Sequence, residues 1–113
     1  MRIHSDTLVL VFSVLTTETF DTWLSALRDG RAKARIAARI RSAELGNLGD
    51  MRSVGEKVSE MRIHYGPGYR VYFTMVDRAL IVLLVGGDKS SQKRDIRNAV
   101  TLAKEVHENY DET

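Results

Sequence analysis

Val58-Ser59-Glu60-Met61-Arg62-Ile63-His64-Tyr65-Gly66-Pro67-Gly68-Tyr69-Arg70-Val71-Tyr72-Phe73-Thr74-Met75-Val76 reads as two strands folded back around a glycine-proline-glycine turn. With Gly66-Pro67-Gly68 as a three-residue loop, Tyr65 faces Tyr69, His64 faces Arg70, Ile63 faces Val71, Arg62 faces Tyr72 and Met61 faces Phe73. That register gathers the apolar side chains on one face and Glu60, Arg62, His64, Arg70, Tyr72 and Thr74 on the other. A slip of one residue would set Ile63 against Arg70 and mix the faces, which a half-buried sheet resists. Glycine in the last loop position suits such a hairpin because it tolerates positive φ.

Upstream, Leu8 to Leu15 is rich in strand formers, and residues 1 to 7 read as frayed polar chain. Thr16 or Thr17 can cap a helix in which Phe20, Trp23, Leu24 and Leu27 recur at helical spacing. Asp29-Gly30 stops it, and a second helix begins near Arg31 with Ile36, Ala37 and Ile40 inward, so the two should form an antiparallel hairpin. Leu45 to Gly55, with three glycines, Asn47 and Asp50, reads as a loop. Downstream of the hairpin, Ala79 to Val85 is an unbroken apolar run expected to be an interior strand covered on both faces. Gly86-Gly87-Asp88-Lys89 then leads to Ser90 or Ser91 as the cap of a last helix packing through Ile96, Ala99, Val100, Ala103 and Val106. The expected fold is a single α+β domain over residues 1–113, in the order β-α-α-β-β-β-α.

Composition bounds the function. At 113 residues the chain supports one core, and 43% hydrophobic with 28% charged residues is an ordinary globular balance. The absence of cysteine removes disulfides, thiolate nucleophiles and cysteine-based metal sites. Leu8 to Leu15 is interrupted by Ser13 and falls far short of the roughly 20 residues of a membrane span. It is followed by no signal-peptidase pattern, so a cytoplasmic location and no membrane partner are expected. Net charge is only +2, but without Glu105, Glu108, Asp111 and Glu112 the chain holds 17 basic against 11 acidic residues. A basic body suits a polyanion.

His4, His64 and His107 are scattered and no carboxylates have ligand spacing, so neither a metal nor a cofactor is expected. Gly86-Gly87-Asp88-Lys89-Ser90 ends as a phosphate-binding loop does but lacks the required glycine spacing. The polar hairpin face remains. Facing positions lie about 5 Å apart, so Arg62, His64, Arg70 and Tyr72 can surround one phosphate. Cleavage of RNA by its own 2′-hydroxyl needs removal of that proton, stabilisation of the phosphorane and protonation of the 5′-oxygen. Arginine suits the second task and histidine the first or third. Tyr65, Tyr69 and Tyr72 can stack on bases or pair with one another, and Arg31, Arg35 and Arg39 form a helical stripe open to RNA, an acidic protein or solvent.

Five segments together resemble one family: Thr17-Glu18-Thr19-Phe20-Asp21-Thr22-Trp23-Leu24; Ala32 to Ile40; Glu44-Leu45-Gly46-Asn47-Leu48-Gly49-Asp50; the hairpin Ser59 to Phe73; and Gly86-Gly87-Asp88-Lys89-Ser90-Ser91-Gln92. They are similar to the phage-derived Gp49-like, HigB-like toxins of the RelE/ParE superfamily, over residues 14 to about 106. The resemblance implies a RelE-like fold, a curved, mostly antiparallel sheet with a helical hairpin on one side and a C-terminal helix. It also implies the toxin of a type II toxin–antitoxin pair, acting as a metal-independent endoribonuclease that cuts mRNA on the 70S ribosome and halts translation. Its partner would be a helix-turn-helix antitoxin, through which alone it would reach operator DNA. Arg70 matches the family's phosphate-binding arginine after the turn, Arg62 falls near a strand cation of the same face, and Lys89 near the basic residue after the last strand. Asp95, six residues beyond Lys89, stands where RelE itself has a tyrosine, which leaves His64 or a hairpin tyrosine for the proton transfers. Two alternatives stand beside the nuclease: a ParE-like inhibitor of DNA gyrase with no enzymatic activity, and an inactive toxin homologue acting as antitoxin co-repressor, which Asp95 keeps open.

Overall fold

A computed structural model describes residues 11–111. The element order is β1 (Ser13–Thr16), α1 (Glu18–Ala26), α2 (Gly30–Glu44), β2 (Met51–Gly55), β3 (Val58–Ile63), β4 (Tyr69–Asp77), β5 (Leu80–Asp88) and, after a 3-10 turn (Lys89–Ser91), α3 (Gln92–Asp111). One sheet holds these five strands in the order β1-β5-β4-β3-β2. The β1–β5 pairing is parallel and the other three are antiparallel. The α+β class and the mostly antiparallel sheet match the expectation. Residues 1 to 7, and the start of the run from Leu8, lie outside the described residues.

The hairpin faces are as expected, but its register is not. Arg62 pairs with Arg70, Met61 with Val71 and Ile63 with Tyr69, so the strands stop at Ile63 and the loop runs from His64 to Gly68. The displacement is two residues, a full pleat repeat, so every side chain keeps its face while changing its partner. Tyr65 and Gly68 close the longer loop, the Gly68 amide donating to the Tyr65 carbonyl at 3.1 Å, with Gly68 at φ 81°.

Alternation then builds two cores. Met61, Ile63, Val71, Phe73, Ile81 and Leu83 point to the side where Phe20 of α1 and Ala32, Ile36 and Ala43 of α2 are buried. Ala37, expected inward, is exposed; the inward stripe of α2 is set by Ala32 and Ile36 instead. Val58, Tyr72, Val82 and Leu84 point to the opposite side, where α3 buries Ala99 and Ala103 and half-buries Ile96, Val100 and Val106, the face expected of it. β5 lies between both layers and is buried from Ile81 to Gly87. Gly86 and Gly87 belong to this strand and not to a loop. A Cβ on Gly86 would overlap the Trp23 ring, and one on Gly87 would overlap the Asp95 carboxylate. Glycine here admits two close-packed neighbours.

Three caps define the helix starts. Thr17 Oγ1 accepts from the Phe20 amide at 3.0 Å, as expected of α1. Asp29 caps α2 by accepting from the Arg31 and Ala32 amides, so Asp29-Gly30 starts the second helix as much as it ends the first. Asp88, not Ser90 or Ser91, caps the turn that leads into α3: it accepts from the Ser90 amide, while Ser91 Oγ accepts from the Asp88 amide. Among the described residues no helix is long and apolar enough to cross a membrane.

Candidate functional site

Where β3 and β4 run out toward their loop, the sheet extends beyond the cover of α3 and its polar face opens. A cleft of about 470 Å³ lies there, with Arg62, His64, Tyr65, Tyr69, Arg70 and Lys89 in its lining. Arg62 and Arg70 are direct cross-strand partners on the same face. Lys89 arrives from the other side of the turn: a Cβ on Gly68 would lie 3.2 Å from Arg70 Nη1 and 3.6 Å from Lys89 Cβ. The four expected catalytic positions, Arg62, His64, Arg70 and Lys89, are thus brought together.

Two carboxylates that sequence reasoning did not single out hold Arg62, His64 and Arg70. Glu60 is fully buried. Its Oε2 accepts from Gln92 Nε2 at 2.8 Å and lies 3.6 Å from Arg70 Nε, while Oε1 accepts from Arg52 Nε at 3.1 Å. Arg70, with a side chain only 13% exposed, is pinned further by donating from Nη1 to the Gly68 carbonyl at 2.8 Å. Asp50 divides its two oxygens between Arg62 Nη2 at 2.8 Å and His64 Nε2 at 2.5 Å. The Arg62 and His64 hydrogen bonds hold the Asp50 carboxyl below the usual 3.8. It is therefore ionised at neutral pH and can only accept, so a neutral His64 carries its proton on Nε2 and leaves Nδ1 as a free base. The Nε atoms of Arg62 and Arg70 are buried without hydrogen-bond partners, and Arg39 Nε, beside the same strand, shares that state. Such desolvation is costly, and local rules of this kind are broken most often where a protein binds or reacts.

The six expected RNA-contacting residues meet five different settings. Tyr65 is half-buried at the cleft with the Arg35 guanidinium 4.7 Å from its ring centroid, so Arg35 and Tyr65 act as one unit. Tyr69 is buried and packs edge-on against Trp23 at 6.2 Å between centroids. Tyr72 is fully buried beneath α3, and burial, reinforced by the Glu60 charge, pushes its hydroxyl far above its ordinary value. It is therefore corrected from a base-stacking residue to a core residue, and it is no substitute acid or base. Arg39 is corrected too: it donates to the carbonyls of Arg62 at 2.5 Å, Leu48 at 2.9 Å and Asp50 at 3.2 Å, stapling α2 to the loop and β3. Arg31, the remaining residue of the stripe, is exposed at the start of α2.

Asp95 is buried outside the cleft. Ser91 Oγ donates to its Oδ2 at 2.5 Å, and the carboxylate rests against the Gly87 backbone. It joins α3 to β5 and is not part of the lining of the hairpin cleft. Among the described residues no group of three or more histidines and carboxylates is placed to hold a metal. Asp50 and Glu60 were hidden because their partners are distant in sequence. The available signal was Glu60 on the polar face of the strand that bears Arg62, and Asp50 in the loop before the strand that bears Arg52.

The arrangement is therefore an open, preorganised cation cluster with one imidazole at its rim, suited to a phosphodiester. Residues 22–107 match the family profile described as phage derived protein, Gp49-like. An uncharacterized protein of Haemophilus influenzae is 48% identical over 97 residues, covering 86% of this chain and 98% of that protein. The chain belongs to the Gp49-like family of phage-derived proteins, and with it to the RelE/ParE-like superfamily of toxins that act in toxin–antitoxin pairs.

Proposed function

We propose that this toxin is a metal-independent endoribonuclease that cuts mRNA on the ribosome, in the cytoplasm, and is restrained by a helix-turn-helix antitoxin that alone carries it to operator DNA. The observation that carries the reading is the cross-strand pair Arg62 and Arg70 on one open face with Lys89 beside them. In this reading the scissile phosphate sits against these cations. His64 Nδ1 takes the 2′-hydroxyl proton while Asp50 holds the ring by Nε2. The 2′-oxygen attacks phosphorus, the phosphorus to 5′-oxygen bond breaks, and the departing oxygen takes a proton from solvent in the open cleft. The products are a 2′,3′-cyclic phosphate and a 5′-hydroxyl. Arg70 gains most as charge grows on the phosphorane, because Glu60 and the Gly68 carbonyl already fix its fork and no reorganisation is needed. The ribosome supplies substrate order that an open cleft cannot.

Replacing Arg70→Ala is expected to abolish growth arrest and slow cleavage by roughly 10²–10³, about 3–4 kcal/mol of transition-state energy, while antitoxin binding persists. Arg70→Lys keeps a charge opposite Glu60 and separates loss of chemistry from loss of fold, since it should fold like wild type yet remain impaired for want of the fork. Undiminished growth arrest by a folded Arg70→Ala protein contradicts the reading.

A further inference from the structure

Lys89 lines two clefts. Beyond the hairpin cleft it borders a second of about 610 Å³, whose lining includes Ser90, Ser91, Lys93, Arg94 and Arg97. All four cations are exposed. Of these four cations Arg94 alone has a carboxylate within ion-pair reach, Asp95 at 3.7 Å, and Lys89, Lys93 and Arg97 have none among the described residues. Lys93 and Arg97 stand one helical turn apart, about 6 Å along the axis, on the same side of α3.

The charge of α3 opposes its own dipole. Its first turns carry Lys93, Arg94 and Arg97 against one carboxylate, the buried Asp95, its last turn has no basic residue, and Glu105 and Glu108 lie toward its C-terminal end. Cations at a helix N-terminus destabilise the helix, and anions near the C-terminus do the same. Folding does not explain three exposed cations in this placement, whereas a bound polyanion does: the three side chains then add to one positive field. The ligand class follows from the lining, which also includes Gln92 but no apolar side chain. A peptide docked through apolar side chains finds no pocket here, and the continuity of this cleft with the hairpin cleft through Lys89 favours a sugar-phosphate backbone, which needs donors and cations alone, over an acidic peptide held by the same cations.

We infer that Lys93, Arg94 and Arg97 form a sequence-independent track for the RNA backbone, leading through Lys89 into the hairpin cleft and binding phosphates away from the scissile one. The track deepens, and rests on, the reading of the hairpin cleft as an RNA site. It determines how firmly the RNA is held and not how fast it is cut.

The test uses the full chain and a fluorescent single-stranded 2′-O-methyl RNA of about 15 nucleotides, which lacks the attacking hydroxyl, titrated between roughly 50 and 300 mM KCl. Lys93→Ala with Arg97→Ala should lower the slope of log affinity against log salt by about 1.4, some 0.7 for each phosphate of a single strand that is no longer neutralised. The weakening should be equal on two unrelated sequences. Arg28→Ala with Lys104→Ala removes the same charge elsewhere and should leave the slope at its wild-type value. Equal slopes for the two double variants overturn the track. Loss of antitoxin binding by Lys93→Ala with Arg97→Ala, with RNA binding intact, also overturns it and assigns the surface to a protein. Because no bond is cut in this assay, failure of the track is read apart from failure of the nuclease, which Arg70→Ala tests.

Discussion

Three arginines around the hairpin have three fates, set by what lies within reach of each fork. Arg39 meets three backbone carbonyls and becomes a staple; Arg62 meets Asp50; Arg70 meets the buried Glu60 from below and the cleft from above. In the sequence, Arg39 belonged to an exposed helical stripe, since nothing there announces carbonyls converging from residues 48, 50 and 62. Arg62 and Arg70 were legible because alternation along a strand survives any two-residue error of register. Tyr72 was placed on the right face but not under α3, which no local pattern of β4 reveals. The carboxylates give this scale its pH dependence. Asp50 is held below 3.8 by Arg62 and His64, and Asp88 below 3.8 mainly by the Ser90 hydroxyl. A carboxyl with a depressed folded value stabilises the fold above its unfolded value and loses that contribution as pH falls through the folded one. Stability should therefore decline below pH 3.8. Asp50→Asn should flatten that decline, as read from urea midpoints between about pH 6 and pH 2. An unchanged acid limb in the Asp50→Asn variant would remove Asp50 from this role.

Among the elements, β2 was the one the sequence concealed. Met51 to Gly55 is an edge strand with only Met51 and Val54 half-buried, so its alternation is faint among neighbouring glycines. The turn that joins it to β3 is also disguised. Gly55 pairs with Val58, leaving Glu56 and Lys57 as a two-residue turn at φ 54° and 64°. Such turns favour Asn-Gly, because both positions are left-handed. Glu56→Asn combined with Lys57→Gly should stabilise the protein by on the order of 1 kcal/mol, given that each non-glycine left-handed residue costs about 1–3 kcal/mol. Chemical denaturation measures this, and a lower midpoint for the variant would show that Glu56 or Lys57 makes interactions that outweigh the strain. By contrast α1, β5 and α3 were plain in the sequence, where apolar periodicity or an apolar run decides. The reversed charge of α3 is the same kind of local violation as the Glu56-Lys57 turn, each terminal cation opposing the dipole by roughly 0.3–1 kcal/mol.

For the whole molecule, the decisive feature is that the sheet is longer than its covers. Two helices occupy one face and α3 the other, so the polar residues of β3 and β4 are core where α3 lies over them and line a cleft where it does not. That division separates Tyr72 and Thr74 from Arg62 and Arg70 on strands that look uniform in the sequence, and only tertiary packing draws the line. The basic body and acidic end of the composition likewise become geometry: cations surround the hairpin cleft and the start of α3, and acidic residues gather toward the end of that helix. Mapping the 5′ ends of cellular transcripts shortly after induction addresses the cation cluster directly. New 5′-hydroxyl ends within translated messages should appear with the wild-type protein and be absent with Arg70→Ala. Growth arrest by the wild-type protein without new transcript ends, with replication halting before translation, would contradict the assignment of RNA cleavage to this cleft.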